Sequence, residues 1–135
     1  MDAQRGIVDY LVSKNTSGAI IEATVKQLCS AWMRWYIGFD PAQNLSKLTC
    51  PVLAINGEND LQVPPYLNIP VIDSVLSKNG NKHFETHTLP GLNHLFQRCK
   101  KCTLSEYKSI DETMDPSALE VIGKWMQANV PATRK

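Results

Sequence analysis

The sequence predicts a mixed α/β fold: a parallel βαβ unit closed by a last helix and preceded by two helices. Three observations predict it. Two short apolar runs, residues 48–56 and 83–89, each lead into a glycine turn. A helix-length stretch lies between them. The first third of the chain repeats apolar residues at helical spacing.

Ile7, Tyr10 and Leu11 fall at i, i+3 and i+4, one stripe of a helix, and Asn15-Thr-Ser-Gly18 breaks it. A second periodic run extends from Ile20 through Val25, Leu28, Trp32 and Trp35 to Tyr36. Its aromatic end reads as packing rather than a ligand box. Gly38-Phe-Asp-Pro41 stops it, since proline disfavours helix at the residue before it. Residues 48–56 are apolar without alternation, which suits a strand covered on both faces of a parallel sheet. Pro51 near its start is tolerable there. Val63-Pro64-Pro65 stiffens the chain before a helix over 66–77, with Leu67, Val71, Val75 and Leu76 expected inward. Asn79-Gly80-Asn81 stops that helix, and residues 83–89 form the next strand. Two strands joined through a helix make a right-handed βαβ crossover. Residues 99–113 read as a polar loop. Asp115 is the expected N-cap of the last helix and Pro116 its first position. Leu119, Ile122, Trp125 and Met126 are its expected buried face.

At 135 residues the chain is one domain or part of one. Its 43% hydrophobic content is enough for a core, and 20% charged residues fit a globular protein. A net charge of +1 gives no electrostatic case for nucleic acid or a membrane surface as partner. No apolar stretch approaches the roughly 20 residues that cross a bilayer. Met1-Asp-Ala-Gln-Arg5 has no apolar core behind it and does not read as a signal peptide.

The four cysteines fit an oxidising or a reducing compartment. Cys99-x-x-Cys102 is the close pair; the others are Cys29 and Cys50. A zinc site needs about four ligands, usually from two such pairs or a pair plus histidines, and no second pair exists. A thioredoxin-like pair would open a helix after a first strand. Two unrelated thiols or a loop disulfide are the plainer readings. No metal or cofactor is expected.

Asp60 and His94 carry the functional signal. Asp60 closes Pro51-Val-Leu-Ala-Ile-Asn-Gly-Glu-Asn-Asp60, and His94 closes Leu89-Pro-Gly-Leu-Asn-His94. Alone, the first reads as a turn aspartate satisfying loop amides. Alone, the second reads as a loop histidine bound to a carbonyl. Together, at the carboxyl ends of consecutive strands, they read as two members of a Ser-His-Asp relay. The third member belongs in Gly-x-Ser-x-Gly, and the sequence holds no such motif. Ser30, Ser105 and Ser109 have no glycines around them to form the nucleophile's sharp turn. Cys99 as nucleophile would need a stabilised thiolate and oxyanion donors that no local signal supplies. Glu58 is a substitute acid that fits the motif less well than Asp60. His83 and His87, at and within a strand, read as surface or structural.

With those residues in hand, the chain resembles the C-terminal part of an α/β-hydrolase. Cys50-Pro-Val-Leu-Ala-Ile-Asn-Gly-Glu-Asn-Asp60-Leu-Gln-Val-Pro64 and Leu89-Pro-Gly-Leu-Asn-His94-Leu-Phe96 carry the likeness. The branch it resembles is that of bacterial esterases and of lysophospholipase-like and serine-aminopeptidase-like hydrolases, related to the prolyl oligopeptidase and dienelactone hydrolase groups. Ser30-Ala-Trp-Met-Arg-Trp-Tyr36 and Phe39-Asp-Pro41 resemble the stretch before the acid-bearing strand in that branch. The resemblance implies that Asp60 orients the imidazole, and that His94 acts as base toward a serine and then as acid toward the leaving group.

The resemblance also implies an organisation. Residues 1–41 would be the end of a cap-like region, 42–131 the C-terminal portion of the hydrolase core, and 132–135 a disordered tail. The fold is then a partial α/β-hydrolase sheet without the strands that carry the serine and the oxyanion amides. Such a chain is expected to be inactive alone on the ester or acyl substrate of the complete enzyme. The alternative is a stand-alone non-catalytic or interaction module that self-associates through an unpaired strand edge or by exchange of its N-terminal helices. The expected partners are a second copy of the chain or a missing N-terminal half.

Overall fold

The computed structural model describes residues 3–130, and side chains from residue 5 onward. The tail expected at 132–135 lies outside them. The chain divides into two compact units, Met1–Asp40 and Pro41–Lys135.

The first unit is helical. Helix α1 spans Ala3–Ser13, α2 Gly18–Leu28 and α3 Ala31–Gly38. Asn15 takes a left-handed φ of 53° between α1 and α2, at the break the sequence marks. The second periodic run is two helices rather than one. Ser30 interrupts it: its extended backbone begins α3, and its Oγ accepts a hydrogen bond from the Met33 N–H at 3.2 Å. A serine that satisfies an orphan amide favours a helix start over a helix interior. The aromatic end is not packed inside this unit. Trp32 stacks on Tyr36 and Trp35 leans on Phe39, yet Trp32 and Trp35 stay 62% and 60% exposed.

The second unit holds the sheet. A four-residue helix, α4 (Ala42–Leu45), precedes strand β1 (Val52–Gly57). Helix α5 (Pro65–Lys78) crosses to strand β2 (Phe84–Leu89), and α6 (Pro116–Asn129) ends the described chain. The strands are parallel, with Val52 opposite Phe84 and Gly57 opposite Leu89. Strand β1 begins later than its apolar run. Pro51 offers no N–H, and the Asn81 side chain donates to the carbonyls of Leu48 and Cys50 at 3.0 and 3.1 Å, which holds that stretch as loop.

Side chains alternate across a strand, so the register sorts the two faces. Ile55 and Leu89 share a face with Ala118 and Val121 of α6. Thr86, on the other face, bonds Asp73 of α5 at 3.4 Å. Helices α5 and α6 therefore cover opposite faces, as the unalternating strand run implied. Helix α5 ends at Asn79 in a Schellman turn: Gly80 at φ 77° and Asn81 donate to the carbonyls of Ser77 and Leu76. Asp115 caps α6 through the Ser117 N–H at 2.8 Å.

The inward faces differ in part from the expected ones. Leu76 is buried and Val75 partly so, but Leu67 and Val71 are 58% and 53% exposed. Helix α5 has apolar residues around most of its circumference, so periodicity gave no unique stripe. In α6, Ala118 is buried and Val121, Ile122 and Trp125 are partly buried, while Leu119 and Met126 face outward.

Gly57, the last residue of β1, packs against backbone. A Cβ there would sit 2.3 Å from the Asn93 carbonyl oxygen and 2.5 Å from that of Leu92. Neither atom can turn aside as a side chain would. Gly57→Ala is expected to destabilise the fold by about 1–3 kcal/mol, the usual cost of overpacking a close contact. Chemical denaturation checks it, and wild-type stability in the variant would refute the tight approach.

Candidate active site

Two loops leave the strands side by side. The Glu58 N–H donates to the Leu89 carbonyl and the Asn59 N–H to the Leu92 carbonyl, both at 2.9 Å. The first bond extends the parallel ladder by one residue, and the second joins the loops beyond it. This seam sets the turn bearing Asp60 against the loop bearing His94, a pair separated by 34 positions in sequence.

Asp60 folds its own turn. Its Oδ1 accepts the N–H groups of Gln62 and Val63 at 2.9 and 2.8 Å, the local side-chain bonding for which aspartate is favoured in turns. Its Oδ2 accepts Asn56 Nδ2 at 3.0 Å and His94 Nδ1 at 2.8 Å. The carboxylate is thus fully engaged, as its 3% side-chain exposure requires. Burial pushes its pKa up, but the Val63 N–H, the His94 ring and the Gln62 N–H outweigh it, and the net shift is downward from the ordinary 3.8. Asp60 is held as an anion.

An ionised carboxylate only accepts hydrogen bonds, so His94 Nδ1 carries the proton. In the neutral ring that tautomer leaves a lone pair on Nε2. Nε2 has no hydrogen-bond partner among the described residues, and the side chain is 37% exposed. The imidazole is anchored at one nitrogen and open at the other.

The loop under His94 is built by two side chains that the sequence reading passed over. Asn93 is fully buried. Its Oδ1 accepts the N–H groups of Leu95 and Gln97, and its Nδ2 donates to Gln97 Oε1. Gln97 passes the restraint on through Nε2 to the Glu112 carbonyl at 2.8 Å. Phe96 takes a φ of 57°, and its carbonyl accepts the Asp115 N–H at 2.7 Å. Arg98 Nε pairs with Asp115 Oδ2 at 2.6 Å. The histidine loop is therefore fastened to the start of α6. Asn56 was visible only as the end of the first apolar run. A polar residue where β1 becomes buried was the signal.

The other candidates lie elsewhere. Glu58 accepts the Gly91 N–H at 2.9 Å rather than bonding His94. His87 pairs with Glu85 at 3.1 Å on the sheet surface, and His83 is exposed. Ser30 caps α3, Ser105 Oγ bonds Thr103 Oγ1, and Ser109 Oγ donates to the Glu106 carbonyl. None of these hydroxyls bonds His94. Cys99 and Cys102 form a disulfide, which removes Cys99 as a thiolate. The ring it closes presents three successive amides, from Lys100, Lys101 and Cys102, to the Glu106 carboxylate. Burial raises the Glu106 pKa, but those amides lower it further than burial raises it. Lys100 and Lys101 face Glu58, Asp60 and Tyr66 across an open depression of about 580 Å³.

The family model described as the prolyl oligopeptidase family matches residues 2–114. That is most of the chain, including the N-terminal helices, and the chain belongs to this family of α/β-hydrolases. No curated protein matches the chain, and no solved structure does.

The lowered Asp60 pKa makes stability depend on pH. The ionised carboxylate contributes stability that is complete above the unfolded value near 3.8 and is lost as pH falls through the lower folded value. Asp60→Asn removes this contribution. Near neutral pH the wild type is expected to be the more stable, with the gap narrowing as the medium acidifies past that range. Denaturant melts of both proteins across pH check it, and a gap independent of pH would refute it.

Proposed function

We propose that this member of the prolyl oligopeptidase family supplies the acid and the base of a Ser-His-Asp relay, with Asp60 as acid and His94 as base. The reaction is hydrolysis of an ester or related acyl bond in a small-molecule substrate. The nucleophilic serine and the oxyanion amides come from a segment outside these residues, since the sequence holds no Gly-x-Ser-x-Gly. The observation that carries this reading is the 2.8 Å Asp60–His94 bond with Nε2 left open.

In this reading Nε2 takes the proton from a serine hydroxyl as its oxygen attacks the acyl carbon. Asp60 stabilises the imidazolium that forms, and Nε2–H then protonates the leaving group. The chemistry calls for no cofactor. The branch of esterases and of lysophospholipase-like and serine-aminopeptidase-like hydrolases is favoured by the two motifs that end in Asp60 and His94. The helical segment before residue 42 then belongs to a cap-like region.

A second reading is a non-catalytic module that self-associates, and the edge of β1 that pairs with no strand among the described residues favours it. Val52 N–H donates to the His83 carbonyl and Glu58 N–H to that of Leu89. Even-numbered residues of β1 therefore bond β2, and the backbones of Leu53 and Ile55 point the other way. Such an edge is a template for another strand.

The isolated chain is expected to turn over no p-nitrophenyl ester and to take no label from a fluorophosphonate probe. A labelled serine, mapped by mass, would overturn the proposal. Supplied with a partner segment bearing Gly-x-Ser-x-Gly, it is expected to support hydrolysis that falls by roughly a thousandfold or more on His94→Ala. Light scattering separates the second reading: a concentration-dependent dimer supports it, and a monomer at high concentration removes it.

A further inference from the structure

Asp60 Oδ2 receives two donors of different origin. One is the His94 ring at 2.8 Å, and the other is the amide of Asn56 at 3.0 Å. Asn56 is 7% exposed and stands one residue before the end of β1. Among the described residues, it and His94 are the only side chains bonded to that carboxylate.

A side-chain amide has two hydrogens to place. Asn56 aims one at Oδ2 and the other at the Val63 carbonyl, 3.2 Å away. The Val63 N–H in turn bonds Oδ1 of the same carboxylate. Asn56 thus closes a ring through Asp60 and Val63, and so holds both the rotation of the carboxylate and the turn beneath it. Closing the turn alone would need only the Val63 bond. Asn93 offers the contrast: it too is buried, yet its side chain bonds only Leu95 and Gln97 of its own loop.

We propose that Asn56 is a positioning residue for the Asp60–His94 pair, fixing Oδ2 toward the imidazole and moderating that oxygen's pull on the Nδ1 proton. Two donors on one oxygen divide its charge between them. With Asn56 in place, the carboxylate is stabilised as an anion without leaning wholly on His94. It keeps its orientation even when the ring swings or changes charge. Without Asn56, Oδ2 turns its full charge on Nδ1–H, and Asp60 holds its own proton more tightly. The inference rests on the reading of Asp60 and His94 as a coupled pair.

Nuclear magnetic resonance of the full chain tests it. The near-isosteric Asn56→Leu removes the donor. The Asp60 carboxyl carbon is expected to titrate roughly one unit higher than in the wild type, because a hydrogen bond to the ionised form has been lost. The His94 Nδ1–H resonance is expected to move downfield. A folded variant in which both readouts match the wild type overturns the proposal, since a purely structural asparagine would alter stability and move neither.

If Asn56→Leu does not fold, the wild type decides. The Asn56 side-chain amide protons must shift with the midpoint of the Asp60 carboxyl, and no response there overturns the proposal. Asp60→Asn separates this inference from the reading beneath it. A low-field Nδ1–H signal that survives Asp60→Asn would sink the pair itself. A signal lost there but unmoved in Asn56→Leu sinks only the role of Asn56.

Discussion

The approach of Gly57 to the Leu92 and Asn93 carbonyls is the constraint from which the rest of the site follows. Parallel strands in register end at the same level, with Gly57 beside Leu89. The chain leaving β2 must then pass over the end of β1, and only a residue without a side chain leaves room. Because that passage is close, the backbones bond across it through Glu58 and Asn59. Asp60 and His94 meet where their loops are joined. Their own bond is one of four on the carboxylate.

Burying a carboxylate costs several kcal/mol unless donors replace its water. Two backbone amides, one side-chain amide and one imidazole do so here. The division of labour matters. The backbone donors occupy Oδ1 and fix the turn, which leaves Oδ2 for side chains. His94 is therefore held by an oxygen already oriented by other groups. On the histidine side, Asn93 and Gln97 fold the loop, and Arg98 with Asp115 fastens it to α6. The helix cap at Asp115 thus serves two ends: it starts α6 and anchors the loop that presents the imidazole.

The sequence made the strands, the crossover helix and the α6 cap legible, because each is punctuated by proline, glycine or aspartate at a position with a local cause. It also singled out Asp60 and His94, which follow those strands. The rest depends on tertiary fit. Ser30 splits a continuous apolar pattern because a cap bond outweighs periodicity. The inward faces of α5 and α6 were misread at Leu67, Val71, Leu119 and Met126, since an apolar helix does not announce which stripe meets the sheet. Asn56, Asn93 and Gln97 were missed for a different reason. A buried amide earns its place from partners as many as seven residues away or more, and one sequence without its fold shows none of them.

An anchored imidazole with an open Nε2 is an arrangement suited to moving a proton. Removing the serine or the histidine of a relay costs about as much rate as removing the whole relay, because the members act as a unit. Oxyanion donors are a large electrostatic contribution in acyl transfer, and they are worth most in a site that excludes water. In this chain His94 remains more than a third exposed, and the amides that converge in the disulfide ring are already satisfied by Glu106. They are not free to receive an oxyanion. On the proposed reading, proton transfer is this chain's share of the chemistry, and charge stabilisation at the acyl oxygen falls to other residues. The same reading gives a use to the polar network that holds one carboxylate and one ring in place.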